Sequence, residues 1–152
     1  MKFSAKTEYG ILAVLELALH YGEATIQAKS ISKNQKIPLR FLEQVLGNLR
    51  KAGIVASIRG AQGGYALSRA PAEINMGDIV KAIEGPMVSA TCILEGESGY
   101  CNHQIEYGVC DLKPIWENVR AAISETLDSI TVEALCQRRK AREQQKTFMY
   151  HI

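Results

Sequence analysis

Residues 38–67 are PLRFLEQVLGNLRKAGIVASIRGAQGGYAL, and the spacing of their apolar side chains changes once along the stretch. From Leu39 to Leu49 the apolar residues recur every three or four positions, which is typical of an amphipathic helix. Beyond Gly53 apolar and polar residues alternate, and the glycine-rich GAQGG at residues 60–64 separates two short runs of this kind. The stretch therefore predicts a helix followed by a β-hairpin.

Two further helices are predicted before this stretch. The first follows Ser4, which can cap it, carries its apolar residues on one face and ends near Gly22. A shorter helix of about two turns places Ile31 inward. Pro38 is expected as the first residue of the third helix, because its missing N–H costs nothing there. Gly53 is expected to end that helix in a left-handed conformation.

The order of these elements predicts three regions. Residues 1–85 form a winged helix-turn-helix DNA-binding domain, mainly α with a small β-hairpin wing, and a helix capped by Asn75 completes it. Residues 86–110 show no periodicity. Residues 111–152 contain a long dimerisation helix and a C-terminal helix that Thr131 can cap. The long helix carries an apolar stripe that exceeds the need of one small core: Leu112, Ile115, Trp116, Val119, Ile123, Leu127 and Ile130.

The positive charge is concentrated in the first half of the chain, although the net charge is only +2. Within residues 29–59 seven basic residues accompany one acidic residue, Glu43. The basic residues are Lys29, Lys33, Lys36, Arg40, Arg50, Lys51 and Arg59. Such a cluster is typical of phosphate binding, and an ordinary solvated face is the alternative.

Three side chains near the start of the 38–52 helix are candidates for base recognition, because a helix in the major groove contacts base edges from its N-terminal part. Arg40 can bond guanine, Glu43 can accept from cytosine and Gln44 can address adenine. Alternatively, Arg40 and Glu43 form a surface ion pair. Arg50 and Lys51 are expected to contact phosphates.

The predicted wing supplies a second contact. Arg59 and Gly60 lie where a wing meets the minor groove, and arginine is favoured in narrow minor grooves. The glycines of the turn permit close backbone approach, or they serve only to form the turn.

Three segments together resemble a known group of bacterial regulators: KFSAKTEYGILAVLELA, the stretch quoted first, and INMGDIVKAIEG. They are similar to the IscR/NsrR/CymR group of winged-helix transcriptional regulators over nearly the whole chain. The resemblance implies a homodimer, crossed by the long helix, on an imperfect palindrome of double-stranded DNA. It also implies base or groove contacts from Arg40, Glu43 and Arg59. Arg40 stands where the IscR branch has a small polar residue, so we do not assume the operator sequence of that branch for this chain.

Cys92, Cys101 and Cys110 have the spacing Cx8Cx8C in the glycine-rich loop. Thiolates are the ligands of iron–sulfur clusters, the CxxC pairs usual for zinc are absent, and a reducing cytosol disfavours a disulfide. Three unligated thiols are the alternative. The resemblance favours a cluster, since cluster-binding members of the group carry three cysteines in this loop, although with tighter spacing. We prefer a 2Fe–2S cluster over a 4Fe–4S cluster.

The fourth ligand departs from the IscR-like pattern. Those members carry a histidine three residues after the third cysteine, where this chain has Lys113. NsrR-like members have an acidic residue early in helix one, contributed across the dimer, and Glu8 matches it. His103 is the other candidate, and we prefer Glu8. Cys136, in the last helix, is expected to be a small buried apolar residue.

The sequence thus predicts a cytoplasmic, homodimeric regulator that senses cluster status, iron, redox state or nitric oxide. A cluster-free, CymR-like regulator that responds to a small metabolite or a partner protein is the first alternative, and an iron–sulfur electron carrier is a remote one. No nucleotide-binding glycine motif or nucleophile–base pair points to an enzyme. Glu8 and Glu16 interrupt the first apolar run, which favours an amphipathic helix over a signal peptide, and no run is long enough to span a membrane.

Overall fold

The structure is a computed structural model that describes residues 3–86 and 110–149. These residues form six α-helices, a short 3₁₀ helix and one antiparallel pair of strands. In chain order they are α1 (Ala5–Leu19), α2 (Ala28–Gln35), α3 (Leu39–Lys51), β1 (Val55–Ile58), β2 (Gly64–Leu67), the 3₁₀ helix Pro71–Glu73, α4 (Met76–Glu84), α5 (Lys113–Asp128) and α6 (Val132–Met149). The predicted mainly α fold with a hairpin wing is confirmed. Within the described ranges, no helix is long and apolar enough to cross a membrane.

Helix α1 lies at the centre of the packing and contacts α2, α3, α4, α6 and β2. Its residues Ala13, Val14 and Leu17 are buried together with the apolar face of α3. Gly10 permits the close approach of α1 to α4, since a Cβ there would overlap the end of the Ile83 side chain. The inner residues of α3 are fully buried: Leu42, Val45, Leu46 and Leu49. The i, i+3, i+4, i+7 spacing in the sequence therefore corresponds to the packed face of this helix.

The two ends of α3 differ slightly from expectation. Pro38 is the N-cap and not the first helical residue: its carbonyl accepts hydrogen bonds from the backbone N–H groups of Phe41 (3.0 Å) and Leu42 (3.1 Å). Its φ of −58° suits a helix, but its ψ of 128° is extended, so the chain enters the helix one residue later. At the other end Gly53 has φ +70°, the left-handed conformation that was predicted.

The wing is anchored on the α1–α2 connection. Strands β1 and β2 pair from Val55↔Leu67 to Ile58↔Gly64. Ile26 extends this pairing by exchanging backbone hydrogen bonds with Tyr65, at 2.9 and 2.8 Å. The hydroxyl of Thr25 donates to the carbonyl of Gln62 in the turn, at 2.8 Å. The hairpin is therefore attached to the helical body along β2 and at its turn.

Helices α4 and α6 begin with the caps that the sequence predicts. The Asp78 N–H donates to Asn75 Oδ1 at 2.8 Å, and the Ala134 N–H donates to Thr131 Oγ1 at 3.2 Å. Cys136 of α6 is only 7% exposed, and burial raises the pKa of its thiol. Its expected role as a small buried apolar residue is confirmed.

Candidate nucleic-acid interface and cysteine loop

The outward face of α3 presents the three residues predicted to recognise bases. Arg40, Glu43 and Gln44 are all exposed, in the first turns of the helix. Neither Arg40 nor Glu43 forms an ion pair with any residue that the structure describes, so the alternative of a surface pair between them is not found. Because the opposite face of α3 is fully buried, these side chains project from a helix whose orientation is held by packing.

Phe41 is a candidate contact that the sequence reasoning missed. It lies between two predicted DNA contacts on α3, is 44% exposed, and its ring centroid is 6.4 Å from that of Tyr9 on α1. An exposed aromatic ring in this position can contact a thymine methyl group. The signal was present in the sequence, since Phe41 is an apolar residue outside the buried stripe of α3.

Arg50 and Lys51 lie at the C-terminal end of α3 and are exposed. The Arg50 guanidinium donates to Ser57 Oγ of β1 at 3.3 Å, which links the recognition helix to the wing. Arg59 and Gly60 are exposed at the start of the hairpin turn, where Gly60 has φ +121°. A residue with a Cβ adopts this φ only with strain, so Gly60 has a conformational role whether or not it contacts DNA.

All seven basic residues of the 29–59 segment are exposed, on α2 and at its C-cap, on α3 and at the wing. Exposed basic side chains can reach phosphates directly, because they are not buried against other parts of the free protein. The exposure is compatible with the predicted phosphate contacts and does not by itself assign any one of them.

Glu16 is a second feature that the sequence reasoning missed. Its carboxylate is 5% exposed and accepts hydrogen bonds from Asn34 Nδ2 (2.7 Å) and Gln35 Nε2 (2.5 Å) at the end of α2. The next residue, Lys36, has φ 55°, a left-handed conformation that turns the chain toward α3. The buried carboxylate therefore holds α1 against the turn between the two helices of the helix-turn-helix.

Two of the four proposed cluster ligands are described. Cys92, Cys101 and the alternative ligand His103 lie outside the described residues. Cys110 is half-buried in the turn before α5, where its carbonyl accepts the Lys113 N–H at 3.2 Å. Its thiol forms no disulfide with any residue in the described ranges.

Two further residues of the ligand hypothesis are described, Lys113 at the start of α5 and Glu8 on α1. Lys113 Nζ lies 4.0 Å from a carboxylate oxygen of Glu117 on the next turn of α5. A lysine ammonium carries donors and no acceptor, so this residue type is a poor metal ligand. Glu8 is exposed on the first turn of α1. Among the residues that the structure describes, no group of three or more His, Cys, Asp or Glu side chains is placed to hold a metal ion, so the structure does not bring Cys110 and Glu8 together with further donors.

Glu84 connects the region that leads into the cysteine loop with the turn that carries Glu8. Its carboxylate accepts hydrogen bonds from Thr7 Oγ1 (2.5 Å) and from the Ser4 N–H (2.7 Å). The bond from Thr7, and next those from Ser4, hold the pKa of Glu84 below its ordinary value. Ser4 occupies the predicted N-cap, but its own side chain does not cap the helix.

The comparisons with known proteins identify the family. The sequence model of the Rrf2 family, described as iron-dependent transcriptional regulators, matches residues 3–138. The chain belongs to the Rrf2 family. It is 37% identical to the transcriptional regulator CymR of Bacillus subtilis over 152 residues, which is all of both chains. It is 36% identical to IscR of Aliivibrio salmonicida over 135 residues, which is 89% of this chain and 77% of that one.

Solved structures of Rrf2 regulators have the same fold. The structure of CymR, described as the global cysteine regulator of B. subtilis, has a TM-score of 0.70 at 36% identity and covers 91% of this chain and 98% of that chain. The structure of T. potens IscR has a TM-score of 0.69 at 38% identity and covers 91% and 88%. The chain is thus a regulator of a DNA-binding family, and the expectation of a regulator in place of an enzyme is confirmed.

Proposed function

We propose that this Rrf2 regulator binds an imperfect palindromic operator as a homodimer, with α3 in the major groove and the wing beside the minor groove. The observation that carries the proposal is the outward face of α3, where Arg40, Glu43 and Gln44 are exposed and the opposite face is fully buried. A helix held in this way presents its N-terminal side chains to base edges at low cost in conformational entropy.

Arg59 and Lys51 have different roles in this proposal, and the difference can be measured. Arg59→Ala should weaken binding to the specific site by about 1–3 kcal/mol, because it removes a contact to base edges or to a narrow groove. Lys51→Ala should weaken specific and random DNA alike and should reduce the salt dependence, because it removes a phosphate contact.

Fluorescence anisotropy at several salt concentrations measures the DNA affinity of both variants. The specific duplex is an operator selected by the protein from a random library, and a scrambled duplex is the control. Equal losses on both duplexes for Arg59→Ala would show that Arg59 contacts only phosphate.

The dimer is proposed from the exposed stripe on α5 and the turn before it. Leu112, Ile115, Trp116 and Val119 are 52%, 53%, 39% and 39% exposed, and their spacing places them on one face of the helix. A contiguous apolar face of this kind marks an interface. A two-fold pairing of such helices would match the two-fold symmetry of a palindrome.

We further propose that Cys92, Cys101 and Cys110, with Glu8 contributed by the second copy, hold an iron–sulfur cluster of the 2Fe–2S type. When bound, the cluster supplies a centre that responds to iron supply, oxidants or nitric oxide. The residues of this chain then set the response: Cys110 begins the turn into α5, and Glu8 lies on the helix that packs against α3. Occupancy would shift the population of DNA-binding geometries in this cytoplasmic regulator.

The cluster proposal is tested on full-length protein purified without oxygen. The protein should be coloured and contain iron and acid-labile sulfide. Cys110→Ala should remove the colour because a thiolate is lost, and Cys136→Ala is the matched control because that thiol is buried in the core.

The fourth ligand needs a separate pair of variants. Glu8→Ala should alter the visible spectrum, and His103→Ala should leave it unchanged. The reverse result would show that His103, and not Glu8, is the fourth ligand. Protein that stays colourless after anaerobic reconstitution with iron and sulfide would contradict the cluster proposal itself.

A cluster-free regulator is the second candidate. The observation that favours it is that the 37% identity to CymR of B. subtilis extends over all of both chains, whereas the match to IscR of A. salmonicida covers 89% of this chain and 77% of that one. In that case DNA binding would respond to a small metabolite or a partner protein. The α3 surface and the Arg59 test would be unaffected, because they do not depend on the cysteines.

A further inference from the structure

A cavity of about 480 Å³ lies between α1 and α6. Leu12 and Leu15 line it from α1, and Leu135 lines it from α6. The remaining lining residues are charged and belong to α6: Arg138, Arg139, Arg142 and Glu143. The volume is in the range of small-molecule sites, which is about 300–1,000 Å³. Neither DNA contact nor cluster binding uses these residues.

The charges at this cavity are unbalanced. Arg139 Nε donates to a carboxylate oxygen of Glu143 at 3.2 Å, so the positive charge of Arg139 is paired. Arg138 and Arg142 form no ion pair with any part of the chain that the structure describes. They stand four residues apart on one helix, where two like charges repel each other and disfavour the helix. An anion placed between them would remove this repulsion.

The opposite wall is apolar. Leu12, Leu15 and Leu135 are only half-buried, so part of their surface remains in contact with water. A ligand that covers them would gain the free energy of burying apolar surface. Its anionic group could be bound by arginine side chains, whose forked donors match the two oxygens of a carboxylate.

We propose that the α1–α6 cavity binds a small organic anion: a carboxylate with an aliphatic body, the carboxylate on Arg138 and Arg142 and the body against the three leucines. This site does not depend on the cluster. Because the buried face of the same α1 contacts α3, a ligand that bridges α1 and α6 would also bias the position of the recognition helix.

Octanoate is a suitable probe, with acetate (charge without a chain) and octanol (a chain without charge) as comparisons. In titration calorimetry of the full-length protein, octanoate should bind saturably at one site per chain, and acetate and octanol should bind at least about tenfold more weakly. Arg138→Gln and Arg142→Gln should each weaken octanoate binding by about tenfold. Lys140→Gln is the matched control, since it removes a positive charge from the same helix outside the cavity.

Leu12→Glu supplies an independent variant, because its carboxylate would occupy the arginines and exclude octanoate. Urea unfolding of each variant shows whether it is folded. The proposal would be overturned if octanoate did not bind saturably, or if the arginine variants bound it as tightly as Lys140→Gln. It would also be overturned if the arginine variants changed the sedimentation of the protein instead of octanoate binding, since a second copy would then cover this face.

Discussion

At the scale of single residues, Glu16 is the one charged side chain that is buried within the described part of the chain. A carboxylate is costly to bury unless its oxygens are hydrogen-bonded, and here both oxygens accept from side-chain amides of α2. No cation is needed, because Asn34 and Gln35 supply the donors. The arrangement fixes the end of α2, and with it the turn into α3.

Replacing Glu16 by alanine should lower the free energy of unfolding by about 1–3 kcal/mol, because the amides of Asn34 and Gln35 lose their acceptors. Glu8→Ala is the matched control, since Glu8 is an exposed glutamate of the same helix and its loss should change stability by less than about 0.5 kcal/mol. Urea unfolding of the metal-free protein measures both. Equal effects of the two substitutions would contradict the role of Glu16.

Glu84 predicts a pH dependence. Its pKa in the folded protein is lowered, first by the hydroxyl of Thr7 and then by Ser4. The carboxylate therefore contributes stability that is present above the pKa of an unfolded glutamate, about 4.3, and is lost as the pH falls through the lower folded value. Glu84→Gln should be less stable than the original chain near neutral pH. The difference should shrink in acid, which thermal unfolding at a series of pH values would show; a pH-independent difference would contradict this.

At the scale of secondary structure, Gly64 is the wing glycine that packs against the α1–α2 connection. A Cβ at Gly64 would lie 2.7 Å from the backbone oxygen of Ile26, and backbone cannot move aside as a flexible side chain can. Gly47 is the opposite case: it lies within α3, and a Cβ there would meet nothing within 4 Å. The two positions therefore distinguish a glycine that packing requires from one that it does not.

Gly64→Ala should destabilise the protein and weaken operator binding, because the bridge between Ile26 and Tyr65 must open. Gly47→Ala should leave stability unchanged or raise it by about 0.5–1 kcal/mol, since alanine favours a helix over glycine. Urea unfolding and DNA binding measure the two effects. If Gly64→Ala retained full stability, the anchoring of the wing on the α1–α2 connection would be wrong.

At the scale of the whole molecule, α5 has no residue that is buried within its own chain. Its apolar stripe is most exposed from Leu112 to Val119, whereas Ile123 and Leu127 are half-buried. A substitution at Ile123, in the half-buried part of the stripe, would therefore also disturb the packing of the monomer. Val119 gives a cleaner test.

Val119→Asp should yield monomers and abolish operator binding, because it places a charge in the proposed seam. Ile123→Asp should do the same, with an added loss of monomer stability. Arg120→Asp, at the neighbouring exposed position, is the control for a new negative charge on α5. Sedimentation and anisotropy measure the outcome. An intact dimer of Val119→Asp would show that this stripe is not the interface.

The order of elements follows from local patterns. The sequence predicted helix α3, the hairpin and α4 because the signals for them are local. The apolar period, the capping residues and the glycine turns each depend only on residues close together in the chain. Local signals also explain why the predicted start of α3 was one residue too early: the φ of Pro38 suits both an N-cap and a first helical residue. The exposure of the predicted DNA contacts on α3 follows from the same period, because one face of that helix must be buried.

The sequence by itself therefore determined the winged helix-turn-helix order, the outward face of α3 and the membership of a regulator family. Only the tertiary structure decided that Glu16 is buried against α2, 18 residues away, and that Glu84 binds Thr7, 77 residues away. It alone placed the basic end of α6 beside the leucines of α1. These relations depend on how helices pack, and the period of one helix specifies which face is buried but not which distant side chain will meet it.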